Sequence, residues 1–232
     1  MPMPQRQPRP DLEPSMKTPV KVTLVTVAVL IALAIVALIV VMMTRPDAPD
    51  AGAEGTLPGT RADSHVLDDA GPDAPTLVEF LDFECEACGA FYPVVEQIRE
   101  EYAGEINYVV RYYPLPGHFN SMNAALAAEA AAEQGKFEEM YQRLFETQAQ
   151  WGELQTSRAD LFRTFAEDLG LDMNAYDVAV AGPVTRERVE ADFNDGQYLG
   201  ISGTPTFFLD GEKLELTQLS DLTDALDEAT GR

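Results

Sequence analysis

Two cysteines, two histidines and one tryptophan are all that this 232-residue chain holds of those types. Basic residues are scarce as well: 16 Lys and Arg stand against 39 Asp and Glu, for a formal net charge of -23. Each shortage removes a class of function. Nucleic-acid binding needs cations to neutralise phosphates, and this charge argues against it. A structural zinc usually takes four Cys or His ligands. One Cys85-x-x-Cys88 pair, with His65 and His118 distant from it in sequence, offers no such set. Both histidines read as surface or packing residues. Hydrolysis by a Ser–His–Asp triad is unsupported, because no Gly-x-Ser-x-Gly elbow occurs. Gly-rich phosphate loops and internal repeats are also absent, and nothing in the sequence calls for a cofactor.

One long hydrophobic run is present. Residues 22–43 contain no charged side chain and are nearly all Val, Leu, Ile and Ala. At ~1.5 Å per residue, a helix of this length crosses a hydrocarbon layer of ~30 Å. A cleaved signal peptide has an apolar stretch of only about 7–15 residues, so the run is expected to be an uncleaved transmembrane signal-anchor. Arg6, Arg9, Lys17 and Lys21 precede it, and only Arg45 follows closely. The positive-inside rule then places residues 1–21 in the cytoplasm, as a disordered tail, and the rest of the chain outside. Residues 44–63, rich in Pro, Asp, Ala and Gly, read as a flexible tether. The acidity lies beyond the run, since residues 1–45 hold five basic and two acidic side chains. It suits a solvated surface that stands off anionic lipid.

The folded domain is expected over 64–232. Val66-Leu67 reads as a short edge strand. The run from Thr76 to Phe83 is nearly continuously hydrophobic, as in a central strand covered on both faces. Cys88 to Tyr102 reads as a helix, and the β-branched and aromatic Ile106 to Tyr113 as a second long strand, ended by Pro114 and Pro116. A helical block follows over about 117–200, punctuated by Gly135 and Gly170. Two short strands, Thr206–Leu209 and Lys213–Leu216, flank the turn signal Asp210-Gly211. Ser220 precedes a last helix. The order βαβ, helical insertion, ββα implies a parallel crossover and an α/β thioredoxin fold, with the dithiol where the first long strand meets its helix.

Two thiols three residues apart at a helix start share one face. The unpaired N–H groups and partial positive charge of that helix end favour a thiolate on Cys85. A dithiol outside the cytoplasm also sits where disulfides are made and repaired. Phe80-x-x-Phe83-Glu84-Cys85-Glu86-Ala87-Cys88, taken with Gly203-Thr204-Pro205-Thr206-Phe207-Phe208, resembles the DsbA-like branch of thioredoxin-fold oxidoreductases. More narrowly, the chain is similar to membrane-anchored DsbA-like proteins of Gram-positive, especially actinobacterial, envelopes. The likeness covers roughly Ser64 to the C-terminus, including the inserted helices.

That resemblance implies roles for particular residues. Cys85 would be the more exposed nucleophile and Cys88 the buried resolving thiol. Pro205 would be a cis-proline facing them, and Thr204 would offer its backbone to an extended client segment, a form of strand addition. Glu79, six residues before Cys85 and between apolar Val78 and Phe80, would be the buried acid that exchanges a proton with Cys88. Strong disulfide donors of this family carry Pro-His between the cysteines, where this chain has Glu86 and Ala87. Negative charge from Glu84 and Glu86 is expected to disfavour the Cys85 thiolate and lower the reduction potential, toward an isomerase or reductase. The implied partners are protein thiols and disulfides and a membrane redox protein that recycles the pair. The competing reading is a thioredoxin-fold binding or chaperone module whose CxxC does not cycle.

Overall fold

The structure, a computed structural model, describes residues 30–31, 57–218 and 220–232. The tail over 1–21 and most of the expected membrane run and tether lie outside these residues. Within the run, Leu30 and Ile31 are helical. Among the described residues, no helix is long and apolar enough to cross a membrane.

The hydrophobic stretch at 76–83 forms the centre of the domain. Strand β2 (Thr76–Leu81) is buried along its whole length. It sends Leu77 and Leu81 into the main core and Val78 and Phe80 into a second cluster on the other face. Strand β3 (Asn107–Tyr112) lies parallel to it, with Glu79 opposite Val110, after the crossover helix α1 (Glu86–Glu101). Strand β1 (His65–Asp68) pairs antiparallel with β3, and β4 (Thr206–Leu209) antiparallel with β2. With β5 (Glu212–Lys213) at the far edge, the order is β1-β3-β2-β4-β5. The Asp210-Gly211 turn has φ of 51° and 84°, the left-handed pair that a two-residue hairpin requires. Strand β5 stops at Lys213, short of the expected Leu216. Past that point, the Leu214 N–H still reaches Phe207 O at 2.9 Å before the chain leaves the sheet edge.

Five helices occupy the insertion: α2 (Ser121–Ala132), α3 (Phe137–Glu146), α4 (Ala159–Asp168), α5 (Met173–Ala181) and α6 (Pro183–Tyr198). All the alanines of α2 except Ala132 are buried, and their small side chains let α3, α4, α5 and α6 all pack against this one helix. Helix α7 (Ser220–Thr230) closes the domain and puts Leu222 and Leu226 into the main core.

The second face of the sheet differs from the sequence expectation. Arg111 on β3 is wholly buried there. It donates to Asp192 at 2.6 Å and Asp195 at 2.7 Å, both on α6, and its guanidinium lies 5.0 Å from the centre of the Phe80 ring. A third bond, of 2.6 Å, goes to the carbonyl of Gly59. Residues 57–63 fall in the stretch expected to be a loose tether, yet they form a strap on this face. Arg61 pairs with Asp195 at 3.1 Å, Arg188 donates to Asp63 O at 2.6 Å, and Pro58 lies against Gly211. A buried guanidinium needs every donor satisfied, and the strap supplies an acceptor that the helices do not.

Candidate active site

Cys85 is the N-cap of α1, with extended backbone angles of φ -68° and ψ 123°. Its N–H donates to Asp82 O at 3.1 Å, which closes the turn between β2 and the helix. Both thiols are free; Cys85 is 6% exposed and Cys88 1%. Their environments drive the two apart. Cys85 is lowered to about 5, first by its hydrogen bond with the Cys88 thiol, against the opposing effect of burial, and further by the backbone N–H groups of Cys88 and Ala87. Cys88 is pushed well above the ordinary thiol range, first by burial and then by Cys85 and the charge of Glu79. The first turn of α1 thus offers one thiol that ionises readily and one that holds its proton.

Thr204 and Pro205 lie over this turn. The peptide bond between them is cis, and the Cys85 thiol reaches Thr204 O at 3.4 Å. Thr204 Oγ1 is buried with no partner among the described residues. On the other side of the dithiol lies Glu79, 2% exposed on the same sheet face as Leu77 and Leu81. Burial pushes its carboxyl up to about 7; the Tyr108 hydroxyl, which donates to it, pulls the other way, and Glu96 adds to the rise. The five residues singled out in the sequence therefore surround one point.

A second set of groups stands around that point. The Asp82 carboxylate is buried and fully engaged. One oxygen accepts from Glu84 N at 2.9 Å and Ser121 Oγ at 2.7 Å; the other accepts from Leu115 N at 3.0 Å and meets His118 Nδ1 at 2.6 Å. It ties the turn before Cys85 to the loop between β3 and α2. Glu84 follows the same path: it is buried and accepts from Asn120 N at 2.5 Å. Gln148, in the short turn after α3, donates at 2.8 Å to the carbonyls of both Phe83 and Cys85. A Cβ on Gly89 would come within 2.0 Å of Gln148 Oε1, so only glycine leaves this amide its place.

A family model described as Thioredoxin matches residues 71–228. The chain belongs to the thioredoxin family. Its fold is that of the DsbA-type members. Wolbachia pipientis α-DsbA1 superposes with a TM-score of 0.64 at 22% identity, over 74% of this chain and 93% of that one. A thioredoxin-like oxidoreductase from Silicibacter pomeroyi DSS-3 gives 0.60 at 26% identity, over 75% and 96%. Among curated proteins, the chain is 38% identical over 153 residues to the Na(+)/H(+) antiporter NhaA 1 of Mycobacterium sp. (strain KMS). That match takes in 64% of this chain and 24% of the antiporter, so the chain spans about a quarter of that relative's length.

Within this thioredoxin-family site, the expectation for Glu84 and Glu86 needs correcting. Their negative charges were expected to oppose the Cys85 thiolate, yet Cys85 is lowered. The backbone turns the Glu84 carboxylate away to Asn120, where burial raises its proton affinity. Glu86 is fully solvated and interacts with Glu153. Nearness along the chain was not nearness in charge. Asp82, His118 and Gln148 are not legible as site residues in the sequence, because 36 residues separate Asp82 from His118 and 63 separate Cys85 from Gln148. The scarcity of histidine was the one available cue.

Proposed function

We propose that the chain is a membrane-tethered, extracytoplasmic thiol–disulfide oxidoreductase that exchanges disulfides with secreted or envelope proteins through Cys85 and Cys88. The observation that carries this reading is the asymmetric dithiol: an N-cap thiol lowered to about 5, beside a cis Thr204-Pro205 bond and above a buried thiol and a buried acid. In the oxidising direction, a client thiolate attacks Cys85 Sγ of the disulfide. Cys88 leaves as a thiolate and takes the Glu79 proton. A second client thiolate then attacks the client sulfur bonded to Cys85, forms the client disulfide and releases Cys85 as a thiolate. In the reducing direction, the Cys85 thiolate attacks a client disulfide and expels one client thiolate. Cys88 gives its proton to Glu79, attacks Cys85 Sγ and expels the second.

Thr204 and Pro205 serve as the client platform, with the Thr204 backbone offered to an extended segment. The uncharged run at 22–43 and the basic residues before it support the tether and its orientation. A membrane redox protein is the proposed recycling partner. The lowered Cys85 supports an oxidant weaker than the Pro-His type of donor. Thiolate acidities of ~7 in thioredoxin and ~3.5 in DsbA accompany potentials of about -270 and -120 mV, and a value near 5 lies between them.

Trapping tests the assignment of the two cysteines. A Cys88→Ser variant is expected to accumulate mixed disulfides with client peptides through Cys85, visible by mass spectrometry, whereas Cys85→Ser forms none. Equal trapping by both variants would reverse or abolish the assigned roles. A chain with both cysteines replaced that keeps full activity would establish the binding-module reading instead.

A further inference from the structure

The motif that carries the dithiol contains no cation: the residues between the cysteines are Glu86 and Ala87. The surroundings are acidic, with Asp82 before the turn, Glu84 and Glu86 flanking Cys85, Glu153 in the loop before α4, and Glu190 of α6. One imidazole is set among them. Nδ1 of His118 meets the Asp82 carboxylate at 2.6 Å, and the ring is 26% exposed. Asp82 is not free to leave: its two oxygens also hold the N–H groups of Glu84 and Leu115 and the Ser121 hydroxyl, so His118 is fixed to the turn that ends in Cys85 N–H. His118 also lines a cavity of about 440 Å³ with Pro114, Met122, Glu190 and Phe193, which leaves space for solvent beside the ring.

We propose that His118, oriented by Asp82, is the charge partner of the Cys85 sulfur and that its protonation is tied to the redox state of the pair. The proposal rests on the redox reading above and adds to it a residue from outside the motif. When a client dithiol reduces the disulfide, the client gives two electrons and two protons and becomes a disulfide. Cys85 becomes a thiolate and Cys88 a thiol, which uses one proton. The other goes to His118 where its ring is neutral, and to solvent where it is already charged. The forces on the ring agree with this. Burial lowers the proton affinity of His118, but the Asp82 bond and charge, together with a Cys85 thiolate and Glu84, outweigh it and raise the net value. Arg158 joins the same loop through its backbone N–H, which donates to Asn120 Oδ1 at 2.7 Å, and its side-chain Nε is buried with no partner among the described residues.

Linkage makes the coupling reciprocal: a thiolate that holds the His118 proton is itself stabilised by that proton. A neutral disulfide offers no such charge, so His118 titrates at higher pH in the reduced protein than in the oxidised one. Between those two values, reduction takes up an extra proton, and the reduction potential falls more steeply with pH than on either side.

The test is an NMR titration of the His118 ring protons in the whole chain, oxidised and reduced. The expected result is a reduced-state pKa higher by about half a unit or more, a threefold change in proton affinity. A Cys85→Ser chain, which cannot form the thiolate, is expected to return His118 to its oxidised-state value. In parallel, His118→Gln should raise the Cys85 pKa, read from thiolate absorbance near 240 nm, by the same half unit. Identical His118 titration in both redox states, with a normal reversible couple, overturns this inference alone. Absence of any couple overturns it together with the redox reading beneath it.

Discussion

Glu79 owes its high proton affinity to burial, and this has opposite consequences for stability and for catalysis. Its carboxyl is pushed up to about 7 from an ordinary 4.5. The folded chain therefore binds this proton more tightly than the unfolded chain does. The resulting stabilisation is complete below about pH 4.5 and is lost as pH rises through about 7, of order 3 kcal/mol in all. Glu79→Gln is expected to flatten that part of the pH–stability curve, measured by urea unfolding between pH 4.5 and 8. The same change removes the proton acceptor for Cys88, so resolution of the mixed disulfide should slow by about 10²-fold in stopped-flow experiments. Unchanged resolution would dismiss Glu79 as the acid. The position of Glu79 was readable because a lone carboxylate between Val78 and Phe80, in an otherwise apolar strand, must be buried if the strand is central. His118 was not readable, because what defines it is a contact between two loops.

Among the elements, the strap and the loop anchored by Asp82 show where sequence patterns stop being informative. A continuous apolar run identified β2, β-branched and aromatic content identified β3, and helical spacing identified the helices of the insertion. Residues 57–63 have no such period. Their composition suggests a tether, and they dock because Arg111, a charge inside β3, needs an acceptor. Arg111→Ala leaves Asp192 and Asp195 buried beside Arg61 and Arg188 only, and is expected to cost about 3–5 kcal/mol by thermal or urea denaturation. A chain starting at residue 65 should lose about 1–3 kcal/mol relative to one starting at residue 57, because the Arg111 donor to Gly59 O is left unpaired. Equal stability of the two chains would show that the strap is incidental.

At the scale of the whole molecule, topology was the most legible feature. A strand, a helix with two cysteines at its start, a second strand, a helical block and a late Thr-Pro before a hairpin leave few ways to build a sheet. The observed order β1-β3-β2-β4-β5 places the dithiol and the cis Thr204-Pro205 bond side by side. Charge was less legible. A net charge of -23 says that the surface is acidic, but not that the acids nearest Cys85 are turned away or solvated. The central claim is that Cys85 and Cys88 form a reversible couple poised by a stabilised Cys85 thiolate. Equilibration of the whole chain in glutathione buffers at pH 7 measures this directly. The expected outcome is a two-electron couple near -190 mV, between the ~-270 mV of thioredoxin and the ~-120 mV of DsbA. A potential at or below that of thioredoxin, or no reversible couple at all, would contradict it.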